Sequence, residues 1–213
     1  MEDPAVFGAT HRRIIQWVKD GQLDGLRIDH IDGLRNPRDY LDRLNAAIQQ
    51  VNPGANIPVF VEKILSGRER LRAEWPVAGT TGYEFLAQLD AIFVDPDGRR
   101  EIEQSYRTFL GIRRPELDFH EVAVRGKAFI LRGSLASDVQ RLARLLGPIA
   151  RRDARTHSRP RAQLSDAIGQ LVARLPVDRP HIEACAASLH AADRVPLRAT
   201  SGATLDHATF RPP

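Results

Sequence analysis

Side chains able to face a core recur at helical spacing through Phe7, His11, Ile14, Ile15 and Val18, and the run stops at Gly21. Asp3 and Pro4 precede it, pairing a capping acceptor with a residue that has no amide proton to leave unpaired, so a helix is predicted to open there. The period then changes. The segment "LDGLRID", residues 23–29, is short, apolar at alternate positions and followed by a glycine-containing turn, which predicts a strand. Asn36 and Pro37 open a second predicted helix, with Tyr40, Leu41, Leu44, Ile48 and Val51 along one side and "NPG" at residues 52–54 closing it. After it, "IPVFVEKIL", residues 57–65, is rich in β-branched side chains and reads as another strand.

Helix, strand, helix, strand with short turns is the grammar of a parallel α/β sheet, and nothing in it suggests hairpins. From about Asp95 strand-like runs become scarce and helical periods dominate, notably over Ser134–Arg155, Ala162–Leu175 and His181–Ala192. Pro148 is expected to kink or break the first of these, because its ring clashes with the preceding turn. Val124–Ser134 is ambiguous between a strand and the start of a helix, and the polar stretch Thr200–Pro213 is expected to fray. The division expected is 1–94 as an α/β region and 95–213 as a mainly helical one.

At 213 residues, 42% hydrophobic and 27% charged, the chain has enough apolar side chains for at least one sizeable core and is not a disordered tail. A single cysteine, Cys185, excludes a disulfide framework within the chain and fits a reducing compartment, as a small buried apolar residue. The N-terminal "MEDPAVF" has no apolar signal segment, and no later run approaches the roughly 20 apolar residues of a membrane span. A cytoplasmic protein without a membrane partner is expected. The net charge of +4 raises the question of nucleic acid, since arginines gather at 141, 144, 151, 152, 155, 159 and 161. No base-stacking aromatics interleave with them, so they read as a solvated helix face and no nucleic-acid partner is expected.

Candidate chemistry sits at the ends of the two strands. Alternation puts Leu26 and Ile28 on one face and Arg27 and Asp29 on the other; in the next strand Val59 and Val61 share a face, while Phe60 and Glu62 share its opposite. A charged face on a helix-covered parallel sheet is costly to bury unless it lies at the carboxyl ends of the strands, where such sheets open into ligand clefts. Two carboxylates from neighbouring strand ends suit glycosyl chemistry, one as nucleophile and the other as acid then base. Arg27 would keep Asp29 ionised, whereas Phe60 and the anionic neighbour would raise the pKa of Glu62 so that it holds a proton. Lys63 points to the opposite face of an ideal strand. The plainer alternative is that both acids are solvated turn residues after core strands.

At these positions "GLRID", residues 25–29, and "VFVEKIL", residues 59–65, resemble the nucleophile and acid motifs of the alpha-amylase superfamily of glycoside hydrolases and transglycosylases. The longer strings "THRRIIQWVKDGQLDGLRIDHIDGLRNPRDYL" and "FVEKILSGRERLRAEWPVAGTTGYEFL" are similar to its trehalose-forming branch in particular. The resemblance implies a partial (β/α)8 (TIM) barrel segment followed by a mainly helical region. It implies an isomerase that moves the reducing-end α-1,4 linkage of a maltooligosaccharide, or of a glycogen-derived α-1,4-glucan, into an α,α-1,1 linkage within the same molecule. It makes Asp29 the nucleophile and Glu62 the acid/base, with Arg27, His30, Lys63, Trp75 and Tyr83 as substrate-binding candidates. His30 and Lys63 could equally hold the acids in place, and Trp75 and Tyr83 could equally pack their loop. No metal, nucleotide or redox cofactor is implied. The superfamily's earlier Asn-His motif and its third, late carboxylate are not found, so the missing barrel strands are expected from a longer chain. Two other readings remain open: another enzyme of the superfamily, an amylase or branching enzyme, and a noncatalytic carbohydrate- or nucleic-acid-binding module.

Overall fold

A computed structural model describes residues 1–54, 56–67, 69–111, 119–154 and 156–182, with Asp193, Arg194, Pro196, Leu197 and Thr200. Two compact units divide them: one from residues 1–97 with the segment that begins at Arg179, the other from residues 98–178 with residues from 190 on.

The first unit follows the predicted grammar. Helix α1 (Pro4–Lys19) starts where Asp3 accepts hydrogen bonds from the amides of Ala5, at 2.7 Å, and Val6, at 3.3 Å. Strand β1 (Leu26–Ile28) leads through a single turn of 3-10 helix (Ile31–Gly33) into α2 (Pro37–Val51), which Asn36 caps by accepting from the amide of Asp39. Strand β2 (Val59–Val61) pairs in parallel with β1, placing Leu26 beside Val59 and Ile28 beside Val61. Beyond it lies β3 (Gly79–Thr80), also parallel, followed by α3 (Tyr83–Ile92). The sheet order is β1-β2-β3, an α/β arrangement as the alternation of periods implied. Both strands are shorter than their predicted runs, pairing only over Leu26–Ile28 and Val59–Val61.

Phe7, Val18, Ile31, Tyr40, Leu41, Leu44, Ile48, Val59, Val61 and Trp75 form one buried cluster. It covers a single face of the sheet: Val59 and Val61 are buried, whereas Phe60 between them is 41% exposed. Within this core His11 stacks on Phe7 at 4.1 Å between ring centroids and contacts the Tyr40 hydroxyl through Nε2 at 2.9 Å. Its Nδ1 lies 3.0 Å from the Phe7 carbonyl, which fixes the proton on Nδ1 and leaves Nε2 to accept from Tyr40. Burial pushes the His11 imidazole below its ordinary pKa and the Tyr40 hydroxyl above its own, so the pair is neutral.

The second unit is helical, with α4 (Arg99–Leu110), α5 (Phe119–Arg132), α6 (Ala136–Ala150) and α7 (Arg161–Arg174). Small side chains, Ala143, Ser165 and Ala173, are buried among α5, α6 and α7, which permits close helix approach. Lys127 on α5 donates to the Leu175 carbonyl at 2.9 Å, satisfying an acceptor at the end of α7. The ambiguous segment Val124–Ser134 resolves as helix up to Arg132. Pro148 does not break α6 on the spot; the helix runs two residues past it to Ala150.

Of the helix predicted over His181–Ala192, only His181 and Ile182 are described, and neither is helical. The rest of it, with Cys185, lies outside the described residues, as do Arg155 and the stretch 201–213. Among the described residues no helix is long and apolar enough to cross a membrane.

Candidate active site

The carboxyl ends of β1 and β2 carry Asp29 and Glu62 on the sheet face that the core leaves open. Register explains their meeting: Ile28 is paired with Val61, so the next residue of each strand emerges at the same level. The Glu62 amide still donates to the Ile28 carbonyl at 2.8 Å, which locks that level. The two carboxyl groups open onto the same space. With Arg27, Thr81, Gly82, Tyr83 and Leu86 they line one open cavity of about 300 Å³.

Two further groups reach Glu62. The His30 main-chain amide donates to Oε2 at 2.8 Å, and the Tyr83 hydroxyl donates to Oε1 at 3.3 Å. Tyr83 arrives there because Gly82 adopts φ 92°, a left-handed turn from β3 into α3 that a side chain would strain. Thr80 Oγ1 accepts from the Gly82 amide at 3.1 Å and donates to the Glu84 carboxylate, steadying the same turn.

The expectation that Glu62 holds its proton is corrected here. Its pKa lies below the ordinary glutamate value, chiefly because the His30 amide donates to the charged form; desolvation opposes this, and the Tyr83 hydroxyl adds to it. Glu62 is thus an ionised acceptor for one amide and one hydroxyl. Phe60, which was to supply the apolar surroundings, projects beside Gly79 and leaves the carboxylate wet.

The remaining candidates separate into two places. Arg27 and Tyr83 line the cavity, and His30 contributes its amide. Lys63 lies behind the sheet with only 2% of its side chain exposed, paired to Asp32 at 2.9 Å and Glu69 at 3.1 Å. Burial would depress its pKa, but the two carboxylates outweigh that and hold it above the ordinary lysine value. Trp75 is also buried, its ring edge-on to His181 at 4.9 Å. Neither lines the cavity. Thr81, Gly82 and Leu86 line the cavity without having been singled out; the turn residue Gly82 between "GTT" and an apolar helical run was the one signal available. Among the described residues no group of three or more His, Cys, Asp or Glu side chains is placed to hold a metal ion.

No protein-family model matches the chain. Over 152 residues, 71% of this chain, it is 34% identical to a Mycobacterium tuberculosis protein provisionally named maltooligosyl trehalose synthase. The solved structure of maltooligosyltrehalose synthase from Arthrobacter ramosus is 36% identical and superposes on 97% of this chain with a TM-score of 0.77. A hypothetical maltooligosyl trehalose synthase from Sulfolobus tokodaii is 28% identical, superposing on 98% of the chain with a TM-score of 0.68. The chain spans 19% of the length of the curated relative, and 24% and 25% of the two solved chains.

Proposed function

We propose that this chain carries the nucleophile and the acid/base of a maltooligosyl trehalose synthase, an isomerase that turns the reducing-end α-1,4 linkage of a maltooligosaccharide into an α,α-1,1 linkage. The observation that carries the reading is the convergence of Asp29 and Glu62 from adjacent parallel strand ends into one open cavity with Tyr83. The similarity to trehalose synthases over most of the chain supports the particular reaction, and the two strand ends fit a segment of a (β/α)8 barrel. A cytoplasmic location fits a glucan substrate.

The reaction proposed is a double displacement. An Asp29 oxygen attacks the anomeric carbon of the penultimate glucosyl unit while Glu62 gives its proton to the glycosidic oxygen, and the C1–O4 bond breaks. The glucose so released must turn within the site before it escapes. Its anomeric hydroxyl then attacks the same carbon, Glu62 takes the hydroxyl proton, the α,α-1,1 bond forms and Asp29 leaves. Two displacements retain the configuration at the attacked carbon. Water must be kept out between them, or hydrolysis replaces transfer.

An ionised Glu62 cannot begin this cycle. A sugar seated against Tyr83 would displace that hydroxyl from Oε1 and remove solvent from the carboxyl group, both of which raise its pKa. The acid is thus made by the substrate that uses it.

Incubation of the chain with maltopentaose, following reducing ends and the appearance of a trehalose-terminated product, tests the reading. Loss of reducing ends that Glu62→Gln and Asp29→Asn both abolish is the expected result. Turnover that survives both substitutions, or products with more reducing ends than the substrate, would overturn it.

A further inference from the structure

The residue whose amide donates to Glu62 has an unfavourable backbone. His30 is the one non-glycine residue with positive φ among the described residues, at φ 51° and ψ 46°. Such a conformation persists only where its surroundings over-determine it. On the near side the turn is closed by its own amides: Gly33 donates to the His30 carbonyl and Leu34 to the Ile31 carbonyl, each at 3.1 Å. A single turn of this kind is too short to hold itself.

What holds it comes from the far end of the sequence. Arg179 sends Nη1 to the Asp32 carbonyl at 2.8 Å and to the Leu34 carbonyl at 2.6 Å, and Nη2 to the Arg35 carbonyl at 3.3 Å. These are carbonyls of the turn that follows His30, and Asp32 is 147 residues from Arg179 in sequence. The planar guanidinium is a rigid fork able to meet three acceptors at once, which an ammonium group on a flexible stem does not reproduce. Two residues further on, His181 Nε2 lies 3.4 Å from Asp32 Oδ1, and its ring meets Trp75. The Asp32 side chain in turn reaches Lys63, the neighbour of Glu62, at 2.9 Å. The strand ends that present Asp29 and Glu62 in front are therefore fastened together behind.

We infer that Arg179 is a positioning residue for the carboxylate pair: by clamping the carbonyls of residues 32–35 it holds His30 in the left-handed conformation that aims its amide at Glu62. Its relevance to catalysis rests on the functional reading above, but the clamp itself can be tested without turnover.

Glu62 is titrated by carbon NMR in the chain, in Arg179→Lys and in Arg179→Ala, while the His30 amide shift is followed through the same pH range. In the unaltered chain the His30 amide shift is expected to track the Glu62 titration. Both variants are expected to keep their helical circular dichroism, move the Glu62 midpoint upward toward an ordinary glutamate value near about 4.3, and uncouple the His30 amide from it. A lysine that behaves like arginine, or a Glu62 midpoint unchanged in a folded Arg179→Ala chain, would overturn the inference. So would unfolding of both variants, which would make Arg179 a residue of general stability. Where maltopentaose is turned over, Arg179→Lys is expected to lower kcat at least tenfold with little change in KM. Absence of turnover in the unaltered chain would count against the functional reading alone, and the Glu62 titration would still decide the clamp.

Discussion

At the scale of single residues, Glu62 shows how little a side chain's sequence neighbours say about its ionisation. Phe60 suggested an apolar setting, yet the dominant influence is one main-chain amide at 2.8 Å. Tyr83→Phe removes the weaker donor, at 3.3 Å. The Glu62 titration midpoint is expected to rise in that variant, by less than in the Arg179 variants, and carbon NMR of the carboxyl group measures the difference. Gly33 constrains the same turn sterically, since a Cβ there would lie 2.5 Å from His30 Cδ2 and 2.6 Å from Nε2. Gly33→Ala must push the imidazole aside or unwind the turn. Because both residues are exposed, the imidazole is expected to swing aside with a stability change within about 0.5 kcal/mol, as at most surface sites, and urea denaturation followed by circular dichroism checks this.

At the scale of elements, α1 and α2 matter because they close the back of the strands that carry the acids. Their contact is partly polar. His11 and Tyr40 meet at 2.9 Å inside an otherwise apolar layer, one as acceptor and one as donor. Tyr40→Phe leaves the His11 Nε2 acceptor buried without that donor, and a cost of about 1–3 kcal/mol is expected on the desolvation argument. The cost falls in Tyr40→Phe with His11→Phe if the penalty arises from the orphaned acceptor and not from lost packing; comparing the single and double variants by urea melts separates the two. This pair was only half legible in the sequence. His11 was placed on the correct face by its spacing, but its partner was invisible because Tyr40 belongs to another helix. Strand β3 and helix α3 were missed for a related reason: a two-residue strand has no period to detect, and its existence depends on pairing with β2.

At the scale of the molecule, acid should undo the first unit before it touches the cavity. Burial brings the His181 imidazole down to about 4; nearby Asp32 opposes the shift, while Arg179, Lys63 and Arg72 reinforce it. Free in the unfolded chain, the same group titrates near about 6.5. Between those values the unfolded chain binds more protons, so stability present above pH 6.5 is lost as the pH falls toward about 4. Urea midpoints measured from pH 7.5 to 4.5 are expected to fall, with a shallower slope in His181→Gln. A slope identical in that variant would assign the acid sensitivity elsewhere.

What the sequence determined by itself was everything governed by local spacing. Caps at Asp3 and Asn36, the two core-facing helix stripes, the parallel strands and the emergence of Asp29 and Glu62 at neighbouring strand ends all follow from periods of 3.6 and 2 and from short-range hydrogen bonding. What only the tertiary structure decided was the environment of those acids. Lys63 and Trp75 sit within motif-bearing strings but pack behind the sheet, where Asp32, Glu69 and His181 receive them. Arg179, in a sequence rich in arginine, carried no mark that set it apart. Its three acceptors are main-chain carbonyls, which every residue possesses, and they are brought within its reach only when a segment almost 150 residues away folds back onto the first unit. A pKa or a clamp is a property of the space around a group, and that space is assembled from parts of the chain that local pattern cannot connect.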